Sequence, residues 1–232
     1  MNIFINGNNN CNNVIVNGRI VSSGSGNSLK FDEKRIMRSD GIDCVTINSN
    51  VNVTVIASNT NVIEAHFHGE VNVDNKPTLN IKKNGREVFV TLNVTGNILG
   101  NLTLTVNIPQ KKFDMINITS HNGSLSVKDG VLVDMLRLST YNGDVESDCN
   151  FNEITATTHN GDADIYIDAE TNVNIEASSH NGNVSIELQS ISTSNIYAST
   201  RNGKVRNRFR AKNSGYTAYG QANSYNGNIT VK

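Results

Sequence analysis

Six side chains able to hydrogen-bond or carry charge recur at nearly constant spacing in the C-terminal half of the chain. Each stands directly before an Asn-Gly pair, and the set is His121, Tyr141, His159, His180, Arg201 and Tyr225. If the repeats stack in register, these side chains line one edge at intervals of about 5 Å. Such a strip could bind sugars, anions or a partner protein. The alternative is that a corner beside glycine tolerates any large, half-exposed side chain.

A second group of candidates concentrates positive charge late in the chain, at Lys204, Arg206, Arg208 and Arg210. Strand-like alternation predicts that the three arginines share one face, with Val205 and Phe209 pointing inward. A basic face could hold phosphate, an acidic glycan or a neighbouring subunit. It could equally be a solvated face, or protect a sheet edge against strand addition.

Acidic and histidine clusters offer weaker candidates for chemistry. Asp144, Asp162 and Asp164 could bind calcium or cleave a polysaccharide, but a solvated polar face explains them equally well. The position after the corner glycine, which Asp144 and Asp162 occupy, holds Ser124 and Lys204 in other repeats. His66 and His68 would point the same way on a strand, as half of a metal site without an identifiable partner. We therefore predict no catalytic residues, no metal site and no cofactor, and expect that the chain is not an enzyme.

Composition excludes several classes of partner. The net charge is −1 and the pI about 6.5, so no global field would recruit nucleic acid. The three cysteines are widely spaced, which predicts reduced thiols. The sequence shows no pattern typical of a signal peptide or a membrane span. We expect a cytoplasmic location and no membrane insertion, and association with the cell surface or envelope stays open.

The elements that must position these side chains follow from the repeat. Its corner glycines are Gly123, Gly143, Gly161, Gly182, Gly203 and Gly227, which gives steps of 20, 18, 21, 21 and 24 residues. A period near 20 indicates stacked units that cannot bury their apolar faces alone. Period-2 alternation in Ile175–Leu188 predicts strands on both sides of the corner. Asn-Gly would form the corner, because these residues adopt a positive φ at little energetic cost. The corner asparagines of successive repeats would form an amide ladder.

These patterns predict an all-β chain in two parts. Residues 1–40 would form a module with a hairpin through Asn17-Gly18, a loop at residues 24–28, and a charged segment that could be a linker, a strand pair or a short helix. Residues 41–232 would form a solenoid of roughly eight to ten coils, with Ile63–Val73 as an early copy of the repeat. The last strand, Asn228–Lys232, has no obvious cap. This predicts a dimer through that end or through the N-terminal module.

Recurring Ile-x-Ala-Ser-x-Asn-Gly-Asp/Asn-Val-x-Ile units follow a strand that closes on a proline, Leu104-Thr-Val-Asn-Ile-Pro109. The clearest Gly-Asp-Val copy is Tyr141-Asn-Gly-Asp-Val145. In these features residues 42–232 resemble the bacterial DUF4097 "putative adhesin" family and the head domains of autotransporter adhesins. The resemblance implies a single-stranded β-helix, right-handed, and it offers no catalytic residues to transfer.

The expected function is therefore a non-catalytic, adhesin-like binding or scaffolding module that is linked to the bacterial cell envelope. Its expected partners are a second copy of the chain, a glycan or a protein. The alternatives are a polysaccharide-active β-helix enzyme, which needs a cleft with convergent carboxylates, and a phage-type fibre element, which needs threefold association.

Overall fold

A computed structural model describes residues 3–4, 15–21, 28–72, 77–95 and 102–232. Over these residues the chain forms 21 strands and no helix, which confirms the all-β prediction. None of the described residues forms a helix that is long and apolar enough to cross a membrane. The first nine strands are β1 (Ile3–Phe4), β2 (Ile15–Val21), β3 (Ser28–Arg38), β4 (Cys44–Ser49), β5 (Asn52–Ser58), β6 (Val62–Asn72), β7 (Thr78–Asn84), β8 (Glu87–Asn93) and β9 (Thr103–Pro109).

The repeats supply the remaining twelve strands, alternately long and short. They are β10 (Lys112–Asn122), β11 (Leu125–Val127), β12 (Leu132–Asn142), β13 (Val145–Asp148), β14 (Asn150–Asn160), β15 (Ala163–Asp168), β16 (Val173–Asn181), β17 (Val184–Gln189), β18 (Thr193–Asn202), β19 (Val205–Asn207), β20 (Thr217–Asn226) and β21 (Ile229–Val231). Each even-numbered strand of this set ends on the asparagine of an Asn-Gly pair, so the pair lies at a corner.

The strands form two sheets, one of nine strands and one of twelve. From β10 onward, even-numbered strands join the nine-stranded sheet and odd-numbered strands the twelve-stranded sheet. We call two strands that follow each other in the chain, one in each sheet, a rung. The described residues form eight rungs with parallel pairing between neighbours, in the spatial order β8/β9, β4/β5, β10/β11, β12/β13, β14/β15, β16/β17, β20/β21 and β18/β19. This arrangement is consistent with a β-solenoid.

The core lies between the two sheets and is built from rows of like residues. In the nine-stranded sheet Ile175 pairs with Ile154, and Ala177 pairs with Ala156. All four side chains are buried, as is Val184 across the corner. Full burial of a side chain of valine or isoleucine size contributes about 1.5–3 kcal/mol. Because one repeat supplies only a few such side chains, the fold depends on stacking many rungs.

The rungs do not follow chain order at the C-terminal end. Strand β20 lies between β16 and β18, and β21 lies between β17 and β19. The predicted uncapped last strand is therefore wrong, because Ile229–Val231 is an internal strand. The terminal rung is β18/β19. Val205 continues the buried row of Val184 and Ile229, yet it is 45 % exposed because its rung is the last.

The N-terminal predictions need correction as well. Asn17 and Gly18 lie within the single strand β2 and pair with Lys34 and Glu33, so they form no hairpin turn. Continuous pairing of β2 with the eleven-residue β3 outweighs the local preference of Asn-Gly for a turn. The charged segment, for which a linker, a strand pair or a short helix was open, lies in the strand β3. Residues 24–27 of the predicted loop lie outside the described residues, and its last residue, Ser28, begins β3.

Two predictions within residues 42–73 also change. Strand β6 pairs antiparallel with β3 and β9, so Ile63–Val73 is not an early copy of the parallel repeat. Its alternation resembles that of the repeat because any half-buried strand has a period of two. The alternating run Val45–Val55 is divided between the two sheets, as β4 and β5.

Candidate binding surface

The six residues that precede Asn-Gly form one continuous line on the outer side of the nine-stranded sheet. Neighbouring ring centroids are 4.5–5.3 Å apart and interplanar angles are 5–24°, from His121 through Tyr141, His159 and His180 to Tyr225. The Arg201 guanidinium lies 5.0 Å from the Tyr225 ring centroid and ends the line. The structure thus brings all six predicted residues together, with Tyr225 before Arg201. We call this set the ring ladder.

Stacking decides which parts of the ring ladder can meet a ligand. Each internal ring has neighbours on both faces, so only ring edges reach solvent. Tyr141 is 47 % exposed and Tyr225 is 38 % exposed. Stacking adds about 0.5–1.5 kcal/mol per pair and orders the side chains in advance. The ladder therefore presents hydrogen-bonding ring edges, and its internal rings offer no open face on which a sugar could stack.

Sequence reasoning missed a second row beside the ladder. Two residues before each ladder residue, the parallel register aligns Thr119, Ser139, Thr157, Ser178, Asn223 and Ser199. Four of them, together with the ring edges, line a shallow groove of about 640 Å³; these are Ser139, Thr157, Ser178 and Asn223. Period-2 alternation read backwards from each ring is the signal that could have found this hydroxyl row.

The corner asparagines confirm the predicted amide ladder. After Asn122, which only accepts, each side-chain amide donates to the side-chain oxygen Oδ1 of the asparagine on the preceding rung at 2.7–2.8 Å. The unbroken series is Asn122, Asn142, Asn160, Asn181, Asn226 and Asn202. These bonds fix the rotation of each corner and therefore the position of each ladder residue.

The corner glycines are required for a different reason than predicted. At Gly123 and Gly182 the φ angle lies outside the left-handed region, so a positive φ is not the common requirement. Instead, successive corners pack backbone to backbone. A Cβ on Gly161 would overlap the carbonyl group of Gly143, and one on Gly182 would overlap that of Gly161. Only glycine permits this approach.

Inward-facing hydroxyls complete the corner. The Thr140 hydroxyl donates to the Gly123 carbonyl at 2.8 Å, and the Thr158 hydroxyl donates to the Gly143 carbonyl at 2.7 Å. Both threonine side chains are buried. The small polar residue two positions before the corner asparagine therefore ties its rung to the corner of the preceding rung.

The residue after each glycine also has a structural task. The Asp144 carboxylate accepts from the backbone N–H of Asp162 at 2.9 Å, and the Asp162 carboxylate accepts from that of Asn183 at 2.7 Å. Asn183 and Asn228 continue this post-glycine ladder as far as the backbone N–H of Lys204. Lys204 has no side-chain acceptor, and its rung is the last one described.

The remaining acidic and histidine candidates do not converge on a metal. Asp164 lies on the outer side of the twelve-stranded sheet, where burial, and then the neighbouring carboxylates, raise its pKa above the ordinary value. The ring nitrogen Nε2 of His66 lies 2.7 Å from Oδ1 of Asp32, a partner that the sequence did not identify. Across the described residues, no group of three or more histidine, cysteine, aspartate or glutamate side chains could hold a metal ion.

The predicted basic residues all lie at the terminal rung. Lys204, Arg206, Arg208 and Arg210 are exposed. Strand β19 ends at Asn207, so only Arg206 of the three arginines lies on a strand. Phe209 is half-buried and packs against the core.

Known proteins share features of this sequence and fold. Residues 42–152 match the family model described as Toastrack DUF4097. A crystal structure of a "putative cell adhesion protein" from Clostridium sporogenes is 16 % identical, with a TM-score of 0.56 over 88 % of this chain and 99 % of that one. A "putative adhesin" from Parabacteroides distasonis is 12 % identical, with a TM-score of 0.40 over 86 % of this chain and 96 % of that one.

At these identities the likeness concerns the fold alone, and of these two structures the Clostridium protein has the more similar fold. No curated protein matches the chain. The family model, which covers the corners and ladders between residues 42 and 152, agrees with the resemblance seen in the sequence. Through residues 42–152, just under half of its length, the chain matches the Toastrack DUF4097 family.

Proposed function

We propose that this chain is a non-catalytic, adhesin-like binding module whose contact surface is the ring ladder together with the hydroxyl row. The observation that carries this proposal is the unbroken stack of five rings on one exposed face, beside a groove of about 640 Å³. The stack and the amide ladder hold the hydrogen-bonding groups in place before a ligand arrives, which reduces the entropic cost of binding.

The proposed ligand is an extended glycan or a protein segment that lies along the stacking direction. Ring edges recur every 4.5–5.3 Å, and the hydroxyl row runs parallel to them. A ligand with regularly spaced polar groups could therefore bond to both rows at once. We propose that the module acts at the surface of the bacterial cell envelope.

The finer architecture belongs to the same proposal. We infer a single-stranded β-helix from Lys112 to Val231, since successive strands alternate between the sheets. Right-handed winding is the expected sense, because crossovers between parallel strands are almost always right-handed. An experimental structure at atomic resolution would test both points.

An enzyme acting on polysaccharide has less support. The carboxylates of Asp144 and Asp162 accept hydrogen bonds from backbone N–H groups of the following rungs. Of the three candidate carboxylates, only Asp164 is then free of such a bond from a described residue, whereas an acid–base pair needs two. Self-association through the N-terminal module remains our proposal for a second copy of the chain. Sedimentation velocity at several concentrations would reveal it, and a threefold species would instead favour the fibre alternative.

A glycan array followed by calorimetry tests the contact surface. Tyr141→Phe keeps the stack but removes one phenolic hydroxyl, and Tyr141→Ser removes the ring. Tyr197→Ser is the matched control, because Tyr197 is 70 % exposed on β18 but lies outside the ring ladder. We expect Tyr141→Ser to weaken binding by about tenfold or more, the effect of about 1.4 kcal/mol, and Tyr197→Ser to leave it unchanged. Equal effects of the two serine variants would refute the assignment.

A further inference from the structure

The terminal rung leaves the edges of two sheets open. Strands β18 and β19 each pair on one side only, whereas every other strand of the eight rungs pairs on both sides within the described residues. Strand β18 is ten residues long and contains no proline. Long edges of this kind are templates for the addition of another strand, and proteins usually cover or blunt them.

Charge is distributed very unevenly around this edge. Residues 190–232 contain seven lysines and arginines and no aspartate or glutamate, so they carry +7, which leaves −8 for residues 1–189. Six of these cations fall between Arg201 and Lys212, all exposed. None of the six forms an ion pair with a residue that the structure describes. An edge that carries so many unneutralised cations favours a negatively charged occupant.

A second copy of the chain is a poor fit for this edge. Contact between two terminal rungs would bring their cations together. A head-to-tail contact would bring them to β7, the opposite edge of the nine-stranded sheet, where Lys82 and Lys83 are exposed. Both contacts place like charges in opposition, which disfavours association.

The ladders also end here with unused groups. The side-chain amide of Asn202 donates to Asn226 at 2.7 Å, but the side-chain oxygen Oδ1 of Asn202 accepts no bond from a described residue. The Arg201 guanidinium contacts Tyr225 on one face and ends the ring ladder on the other. An added strand could supply an amide donor to the first group and a carboxylate to the second.

We propose that the terminal rung binds an extended, acidic peptide segment of a partner protein, which adds to β18 as a further strand. The edge offers alternating N–H and C=O groups, which pair with a peptide backbone and not with a glycan. The surrounding cations select acidic side chains. This surface lies at the end of the stack, separate from the groove along the ring ladder.

Fluorescence anisotropy tests the proposal with a labelled peptide of about ten residues, the length of β18. The peptide alternates Glu and Val, and its control alternates Lys and Val. Near physiological salt, about 0.15 M, only the Glu peptide should bind. Arg206→Glu with Arg208→Glu should weaken that binding by about tenfold. The matched control, Lys82→Glu with Lys83→Glu at the opposite edge, should leave it unchanged.

A second comparison separates strand addition from simple charge attraction. A Glu/Val peptide N-methylated at alternate residues keeps its charge but loses backbone donors, so it should bind at least about tenfold more weakly. Hydrogen exchange within 193–202 should slow only with the unmethylated peptide. Equal binding of the two peptides, displacement by polygalacturonate without a change in exchange, or insensitivity to the arginine substitutions would overturn the proposal. So would cation-dependent self-association of the free chain, which would make a second copy the occupant.

Discussion

Two adjacent threonines on β14 offer a direct test of how the corners are held together. Thr158 points inward, is buried, and donates its hydroxyl to the Gly143 carbonyl at 2.7 Å. Thr157 points outward and is exposed, and among the described residues its hydroxyl is bonded only to that of Ser178, from which it accepts at 3.4 Å. Replacing either residue with valine preserves size and branching. The two variants therefore differ mainly in which hydroxyl is lost.

The expected magnitudes follow from the two environments. In Thr158→Val the Gly143 carbonyl loses the hydroxyl that donates to it, which costs about 1–3 kcal/mol. The added buried methyl group offsets about 0.8 kcal/mol of this loss. The net destabilisation is then roughly 0.5–2 kcal/mol, and for a chain of this size Tm falls by roughly 1–8 °C. Thr157→Val should change the free energy of unfolding by no more than about 0.5 kcal/mol.

Thermal and urea unfolding followed by circular dichroism would measure both variants beside the parent chain. The decisive quantity is the difference between the two variants, because any gain in strand preference from valine applies to both. A Tm for Thr158→Val equal to or above that of Thr157→Val would refute the corner mechanism. Unchanged urea m-values would show that the compared states are the same.

Three further predictions concern the other supports of the stack. Gly161→Ala should destabilise the fold by more than about 4 kcal/mol, because the added Cβ would overlap the Gly143 carbonyl. Gly85→Ala should cost about 1–2 kcal/mol, because Gly85 has open space around it but a positive φ. Urea unfolding of both variants tests this, and equal losses of stability would contradict it. Asn183→Lys should lower the free energy of unfolding by about 1 kcal/mol, because it removes the acceptor for the Asn228 N–H. Lys204→Ala should leave the free energy of unfolding unchanged in the same assay. An Asn183→Lys variant as stable as the parent chain would argue against the post-glycine ladder. Because the pKa of Asp164 is raised in the folded protein, its ionised form destabilises the fold above that raised pKa, and this cost is absent below the ordinary value of 3.8. Asp164→Asn should therefore raise Tm at pH 7 and leave it unchanged at about pH 3, and a Tm difference independent of pH would contradict this reasoning.

The post-glycine ladder explains why the last repeat inserts between two earlier ones. In chain order, the repeat with Lys204 would lie directly between those with Asn183 and Asn228. The Asn228 N–H would then face a lysine and lose the acceptor that Asn183 now provides at 2.9 Å. Placing the Lys204 repeat last leaves every described N–H in this row with a partner. An unmade bond of this kind costs about 1–3 kcal/mol, enough to influence which order is preferred.

Much of the candidate site could be predicted because it depends on local periodicity. Period-2 alternation in Ile175–Leu188 predicted strands on both sides of the corner, and the recurring residue before Asn-Gly, such as His159, predicted a line along one edge. The hydroxyl row was equally accessible by the same alternation but carried no distinctive residue type. The Asp32 partner of His66 could not be foreseen, since it lies on a strand 34 residues away in sequence.

By itself the sequence determined the all-β class, the period near 20, the corner positions and the line of ring-ladder residues. These features follow from the two-residue period of a strand and from the repetition of Asn-Gly, which are local properties. Only the tertiary structure decided that β20 and β21 insert before the terminal rung, that Asn17-Gly18 lies within a strand, and that the corner glycines serve close packing. These outcomes depend on which distant segments become neighbours. Competition for hydrogen-bond partners among many similar strands decides that, and no single repeat encodes it.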